Sequence, residues 1–273
     1  MTAAETGTDS RLTSPVPQPL ARIPAPPVGD FAEAHVTPAR PVVLRGLTGV
    51  DASFSRCTID HLREAFPDVP VTTARVRNGA VVMDDDRGLV HEKSTFSTFL
   101  AALDAGDREH YLTTRLAELP LALRLDLAPP PYCADAPWQD ANLWIGAPGI
   151  VSGLHRDLAD NLHVQISGRK RFLLVSPRQS ACVYPNSLFD GVPNGSRVDL
   201  EQPDLERFPR MGRLAITVAE LEPGDAVYIP RGWWHQVRTL ELSVSVNFWW
   251  ASGLRHAVVV AAEVFKRARG VSL

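Results

Sequence analysis

The chain has 273 residues, 45% of them hydrophobic, and a formal net charge of −3. It is long enough to bury one substantial core, and its near-balanced charge gives no general pull toward nucleic acid or an anionic membrane surface. Three cysteines, Cys57, Cys133 and Cys182, with no C-x-x-C spacing, argue against a disulfide framework and against a zinc–thiolate site.

The N-terminal stretch MTAAETGTDSRLTSPVPQPL has no apolar signal core, and no apolar run is long enough to span a bilayer. With the unpaired cysteines this leads us to expect a soluble, cytoplasmic protein. Residues 1–27 are rich in Ser, Thr, Pro and Ala, so a flexible arm is expected there, with residues 28–273 as a single domain. Asp30 to His35 reads as a short helix, and Arg40 to Arg45 as a strand closed by Gly46. Ile59, Leu62 and Phe66 recur at helical spacing behind Thr58, a plausible N-cap. Val69 to Arg77 reads as a strand, and Asn78-Gly79 as a hairpin turn leading to Val81–Met83. The triplet Asp84, Asp85, Asp86 reads as a solvated loop, with a collar for a cationic substrate as the sharper alternative. Thr95 to Leu103 forms an amphipathic helix, and Tyr111 to Arg115 and Asn142 to Gly146 form strands.

The stretch SGLHRDLADNLHVQISGRKRFLLVSP, Ser152 to Pro177, follows. On an extended backbone His155 and Asp157 point to the same side, so one short segment can offer two metal ligands. An H-x-D triplet alone is a weak signal, expected roughly once by chance in a chain of this make-up. Its context is more informative. Asn161 and the alternating Leu162, Val164, Ile166 lead to Ser167-Gly168, a basic cluster Arg169, Lys170, Arg171, and then Phe172 to Val175. This pattern predicts a β-hairpin hanging off the two ligands. Tyr184 to Arg213 reads as a long irregular excursion, of the sort that rims binding sites.

Short strands then recur at Ala215–Val218, Ala226–Ile229, Gln236–Arg238 and Leu242–Trp250. Between them His235 is expected at the mouth of a hairpin, as the best third ligand. Two imidazoles and one carboxylate would bind one face of an Fe(II) ion and leave the other positions open. Many short strands with Gly and Pro turns predict a mainly β, antiparallel jelly-roll barrel over residues about 140–250, with helices in front. A short C-terminal helix is expected over Arg255 to Arg269, with Val258, Ala262 and Phe265 on one face that covers the barrel or meets a second subunit. Trp233, Trp234, Trp249 and Trp250 read as rings that fill the barrel ends rather than as an aromatic cage, and Phe248 reads as core.

Taken together, H-x-D, D-N, Q-x-x-G-x-K-R, P-G-D-x-x-x-I-P-x-x-W-W-H and N-x-W-W resemble the cupin-like, JmjC-type Fe(II)/2-oxoglutarate hydroxylases, the group that includes the asparaginyl hydroxylase of hypoxia-inducible factor. The resemblance runs from Pro41 to Trp250 and is strongest from Asn142 onward. It implies a double-stranded β-helix (cupin barrel) that uses Fe(II), 2-oxoglutarate and O2, with His155, Asp157 and His235 as iron ligands and catalytic centre. By the same resemblance Lys170 pairs with the distal carboxylate of 2-oxoglutarate, with Ser152 and Tyr111 adding hydroxyls and Asn161 and Asn247 facing the pocket. A solvated turn lysine and ordinary barrel hydrogen bonds are the alternatives. His163 stands where relatives often carry an apolar or aromatic residue, so it either lines the pocket or is a satisfied core histidine. Arg75, Arg77, Trp144, Arg156 and Arg238 are further lining candidates.

The implied activity is hydroxylation of an amino-acid, peptide or protein side chain, or a related small molecule, with release of succinate and CO2. Nucleic acid is disfavoured as a partner, a membrane is not expected, and a homodimer is possible in this family. The alternative is a non-redox cupin, a metal-dependent isomerase or lyase, or a small-molecule binding module.

Overall fold

The computed structural model of the chain describes residues 14–47, 54–84, 88–187, 190, 192–252 and 256–261. Strands β1 (Gln18–Pro19) and β2 (Arg22–Pro24) lead to helix α1 (Val28–Phe31), a π-helical turn over Ala32–Val36, and strand β3 (Val42–Arg45). Helix α2 (Ile59–Ala65) precedes strands β4 (Pro70–Arg77), β5 (Ala80–Val81), β6 (Met83–Asp84), β7 (Gly88–Leu89) and β8 (His91–Thr95). Helix α3 (Phe96–Asp104), strand β9 (His110–Arg115) and helix α4 (Leu121–Asp126) complete the N-terminal part. The barrel strands are β10 (Trp138–Gly146), β11 (Val151–Arg156), β12 (Asp160–Ser167), β13 (Lys170–Val175), β14 (Ile216–Leu221), β15 (Ala226–Ile229), β16 (Trp234–Thr239) and β17 (Ser243–Ala251).

Local chemistry sets several of these boundaries. The Thr58 hydroxyl accepts from the His61 amide at 3.2 Å and the Thr95 hydroxyl from the Thr98 amide at 3.2 Å, so both helices start at a side-chain cap. Asn78 and Gly79 both take positive φ, 52° and 79°, as the tight turn joining β4 to β5 demands.

Among the described residues fifteen strands belong to one sheet folded back on itself. One barrel layer is β14-β13-β16-β11, the other β15-β12-β17-β10, and β5, β4 and β9 join them along one side. The hairpins expected after the H-x-D triplet and around His235 do not form. β12 pairs with β15 and β17, whereas β13 pairs with β14 and β16, so Ser167-Gly168 carries the chain across from one layer to the other. The segment Glu222–Asp225 makes a second crossing, from β14 to β15, and His235 lies inside a layer, between β11 and β13. The same Gly-containing turn chemistry serves a hairpin and a crossing, and only the choice of partner strand separates them.

The arm expected at the N-terminus is also, in part, barrel. β1 pairs in parallel with β14 and β2 in parallel with β3, and Leu20 between them is buried. Composition judges how much apolar surface a segment can bury. It misses the unpaired amides and carbonyls at a sheet edge, which these two short strands satisfy at both ends of the sheet.

Alternation decides what faces inward. Leu143 and Ile145 of β10, Leu162 and Val164 of β12, and Val244, Val246, Phe248 and Trp250 of β17 point outward and join a core with the N-terminal helices. Leu173, Val175 and Trp234 on the opposite layer pack outward against the excursion after residue 183. The barrel interior is left with the intervening positions, many of them polar. At the C-terminal end residues 256–261 are helical, and Val259, not the exposed Val258, packs with Ala159, Ala251 and Trp249. Ala262 and Phe265, like Asp85 and Asp86, lie outside the described residues. No helix of the described residues is long and apolar enough to cross a membrane.

Candidate metal centre

His155 and His235 are direct cross-strand partners in β11 and β16, which brings their ring centres to 4.2 Å across a sequence gap of eighty residues. A register shift between Ser152 and His155 puts both side chains toward the interior, although three residues apart in an unbroken strand they would face opposite ways. Asp157 follows just beyond β11, and its backbone carbonyl accepts from the Gly232 amide at 2.8 Å, tying it to the turn that leads into His235. Ligand atoms of His155, Asp157 and His235 lie within 4.8 Å of one another, the spacing one metal ion requires.

The tautomers are fixed as a metal needs them. His155 Nδ1 donates to the Gly153 carbonyl at 2.7 Å and His235 Nδ1 to the Trp233 carbonyl at 3.1 Å. A carbonyl can only accept, so the proton sits on Nδ1 and each Nε2 lone pair is free. Asp157 Oδ2 stands 3.7 Å from His235 Nε2 and accepts from Trp249 Nε1 at 2.8 Å and Asn161 Nδ2 at 3.1 Å. Burial pushes the Asp157 carboxyl up, but the facing imidazoles of His235 and His155 and these two hydrogen bonds outweigh it, and it is held below the usual range. His235 is pushed down to about 4, by burial first and by His155 next. Near neutral pH the pair is therefore a carboxylate and a neutral imidazole, the forms that ligate.

An oriented chain of side chains stands behind the carboxylate. Trp144 Nε1 donates to Asn247 Oδ1 at 2.7 Å, Asn247 Nδ2 to Asn161 Oδ1 at 3.2 Å, and Asn161 in turn to Asp157. Each amide has its donor and acceptor ends used, so none can rotate without breaking two bonds.

Lys170 is fully buried, with Nζ donating to Tyr111 Oη at 2.9 Å and Ser245 Oγ at 2.7 Å. Among the described residues no carboxylate forms an ion pair with it, and burial pushes its ammonium down to about 7. A buried cation held only by hydroxyls is suited to an incoming anion. The solvated-turn alternative for this lysine does not hold, and its neighbours behave differently: Arg169 pairs with Glu241 and Arg171 with Glu220 on the outer surface. Tyr111 lines the interior cavity and Lys170 lies behind it, Nζ 5.3 Å from its ring centre.

The cavity measures about 390 Å³ and contains all three ligand side chains on its wall. Ser152, Tyr111, Asn161 and Asn247 all line it, but Asn161 reaches Asp157, Asn247 reaches Asn161, and Ser152 is not among the groups bonded to Lys170. Asn186, Asn194 and Gly195 from the long excursion close one side, and its backbone is fastened to β11 by Arg156 N donating to Asn194 O at 3.0 Å. Of the other lining candidates only Trp144 contributes. Arg75 is paired with Glu92, Arg238 with Glu201, and Arg156 lies over the Trp234 ring. Two residues carry roles that the sequence does not reveal: Ser245, which accepts from Lys170, and Trp249, which reads as a barrel-end ring and instead donates to Asp157. Both fall two residues from Asn247, on the same inward phase of β17, and that alternation is the signal for their placement.

A family model described as a Cupin-like domain matches residues 28–256. The chain belongs to the cupin-like domain family. Relatives of this cupin-like domain include "Lysine-specific demethylase 8" of Danio rerio, 30% identical over 250 residues, which are 88% of this chain and 61% of that protein. "Jumonji C domain-containing protein 5" of Drosophila melanogaster is 37% identical over 153 residues, 54% of this chain and 38% of that protein. "HSPB1-associated protein 1 homolog" of Danio rerio is 39% identical over 114 residues, 41% of this chain and 25% of that protein. The chain spans between 25% and 61% of the length of these relatives.

Proposed function

We propose that the chain is an Fe(II)- and 2-oxoglutarate-dependent oxygenase in which His155, Asp157 and His235 hold one iron ion, and that it hydroxylates an amino-acid, peptide or protein side chain. The observation that carries this reading is the convergence of two tautomerically fixed imidazoles and one ionised carboxylate on the wall of one cavity, with a buried ammonium that has no acidic partner in the same barrel. Bound Fe(II), with 2-oxoglutarate and O2, supplies oxidation of a substrate C–H bond coupled to conversion of the keto acid to succinate and CO2.

The residues of the chain would contribute position and charge. Lys170, with the Tyr111 and Ser245 hydroxyls beside it, neutralises the far carboxylate of the co-substrate, which a half-buried dicarboxylate cannot leave unpaired. Trp249 and Asn161 keep Asp157 aimed, and Asn247 and Trp144 keep Asn161 aimed. The walls built from Ala74, Val81, Leu89 and Val192 exclude water and orient the substrate. A buried lysine with no acidic partner favours this reading over a non-redox cupin isomerase, lyase or binding module, which has no use for a dicarboxylate anchor.

A peptide or protein substrate is supported by relatives named lysine-specific demethylases, and hydroxylation of an N-methyl carbon would give demethylation by the same chemistry. Incubation with Fe(II), 2-oxoglutarate and candidate peptides, free amino acids and N-methylated lysine peptides, scored by succinate and by product mass, tests the reading. A gain of one oxygen on an unmethylated side chain is the expected product. Absence of succinate under all conditions contradicts it.

A further inference from the structure

His163 is used by nothing described so far. It lies on β12 two residues beyond Asn161, directly across from Asn247 of β17, and its ring lines the cavity. Its exposure is 7%, yet Nε2 is wholly buried without a hydrogen-bond partner, and Nδ1 has none among the described residues. Among the described residues its close ring neighbour is Phe172, at 5.0 Å in an edge-on arrangement. A buried imidazole nitrogen left without a partner is costly, and proteins retain such groups where a partner arrives from outside the chain. It is therefore not a satisfied core histidine.

The surroundings restrict what that partner is. Burial holds the ring well below its ordinary pKa, and the positive charge of Lys170 and then His235 adds to this. It is a neutral imidazole with one N–H to donate. The wall that carries His163 also carries His155, Asp157, His235 and Tyr111, whose hydroxyl accepts from Lys170 Nζ.

We propose that His163 is a specificity-determining residue that donates a hydrogen bond to the bound 2-oxo acid, adding a polar contact to those of Lys170, Tyr111 and Ser245. The proposal rests on the oxygenase reading above. It also accounts for a polar ring at a position where an apolar one would pack better.

The test is calorimetric titration of 2-oxoglutarate into the full chain loaded anaerobically with Fe(II), wild type against His163→Leu, His163→Phe and His163→Gln. Each apolar variant is expected to bind 2-oxoglutarate roughly ten- to a hundred-fold more weakly, the loss of a hydrogen bond to a charged acceptor. His163→Gln, which keeps a donor, should recover most of the loss. Fe(II) affinity should change less than about twofold in all of them, and the melting temperature of the metal-free apolar variants should stay level or rise, since an unpaired buried nitrogen is gone. A purely structural histidine would move stability and leave co-substrate affinity alone. Equal 2-oxoglutarate affinity in wild type and in either folded apolar variant overturns the proposal by itself. Wild type that binds Fe(II) but no 2-oxoglutarate overturns the oxygenase reading, and this proposal with it.

Discussion

At the scale of single residues the centre is built by hydrogen bonds more than by the ligands alone. Trp249 and Asn161 both donate to Asp157 Oδ2, and removing one donor leaves the carboxylate free to turn. We expect Trp249→Phe to weaken Fe(II) or Co(II) binding roughly ten- to a hundred-fold in a competition titration, with the metal-free melting temperature nearly unchanged. Asp157→Ala should lose specific metal binding altogether. Lys170 gives a prediction in pH. Its folded ammonium is pushed down to about 7 from the ordinary 10.5, so below pH 7 both folded and unfolded chains carry the charge and the burial penalty is fully present. Between about pH 7 and 10.5 the folded chain releases the proton first, the unfolded chain binds more protons, and stability rises with pH. Lys170→Met should remove that rise, of order a few kcal/mol, in urea unfolding measured across this window without metal or 2-oxoglutarate.

Elements show where a sequence speaks clearly and where it does not. The caps at Thr58 and Thr95, the Asn78-Gly79 turn and the alternation in β12 and β17 are local, and the helices and strands they predict are present. Pairing is not local, so the turn that predicts a hairpin between β12 and β13 is a crossing between layers, and the segment whose composition predicts a loose arm contains β1 and β2. The candidate ligands His155, Asp157 and His235 are legible from the H-x-D triplet together with the motifs that follow it, not from the triplet alone. The contacts of Lys170 with Ser245 and of Asp157 with Trp249 are not legible, because they join strands seventy-five and ninety-two residues apart. Gly168 shows the constraint at the crossing. It has φ of +64°, and a Cβ there would sit 2.1 Å from the Leu242 carbonyl oxygen, which is backbone and cannot swing aside. Gly168→Ala should therefore cost about 1–3 kcal/mol in thermal or chemical unfolding. A melting temperature equal to wild type would show that the crossing tolerates a side chain.

For the whole molecule the notable choice is which side of each strand is apolar. Outward residues of both layers bury against the N-terminal helices and the long excursion, and this frees the interior for polar groups around a cavity of about 390 Å³. The division is partial: Phe172, Ile229 and Val237 line the same cavity, and Phe172 and Ile229 join Leu174 and Val227 in a separate apolar cluster. The edges matter to the same design: deleting residues 1–24 exposes the edges of β14 and β3 and removes buried Leu20. We expect that truncation to lower the melting temperature and promote aggregation, measured by scanning calorimetry and light scattering. The central claim is that His155, Asp157 and His235 together present one Fe(II) ion to 2-oxoglutarate. Its most direct test is anaerobic titration of the chain with Fe(II) followed by 2-oxoglutarate, monitored in the visible. The account predicts one equivalent of iron and a new charge-transfer absorption that saturates with one equivalent of 2-oxoglutarate and is absent in Asp157→Ala. Iron uptake unaltered by Asp157→Ala, or no absorption change on adding 2-oxoglutarate to the iron-loaded wild type, would contradict it.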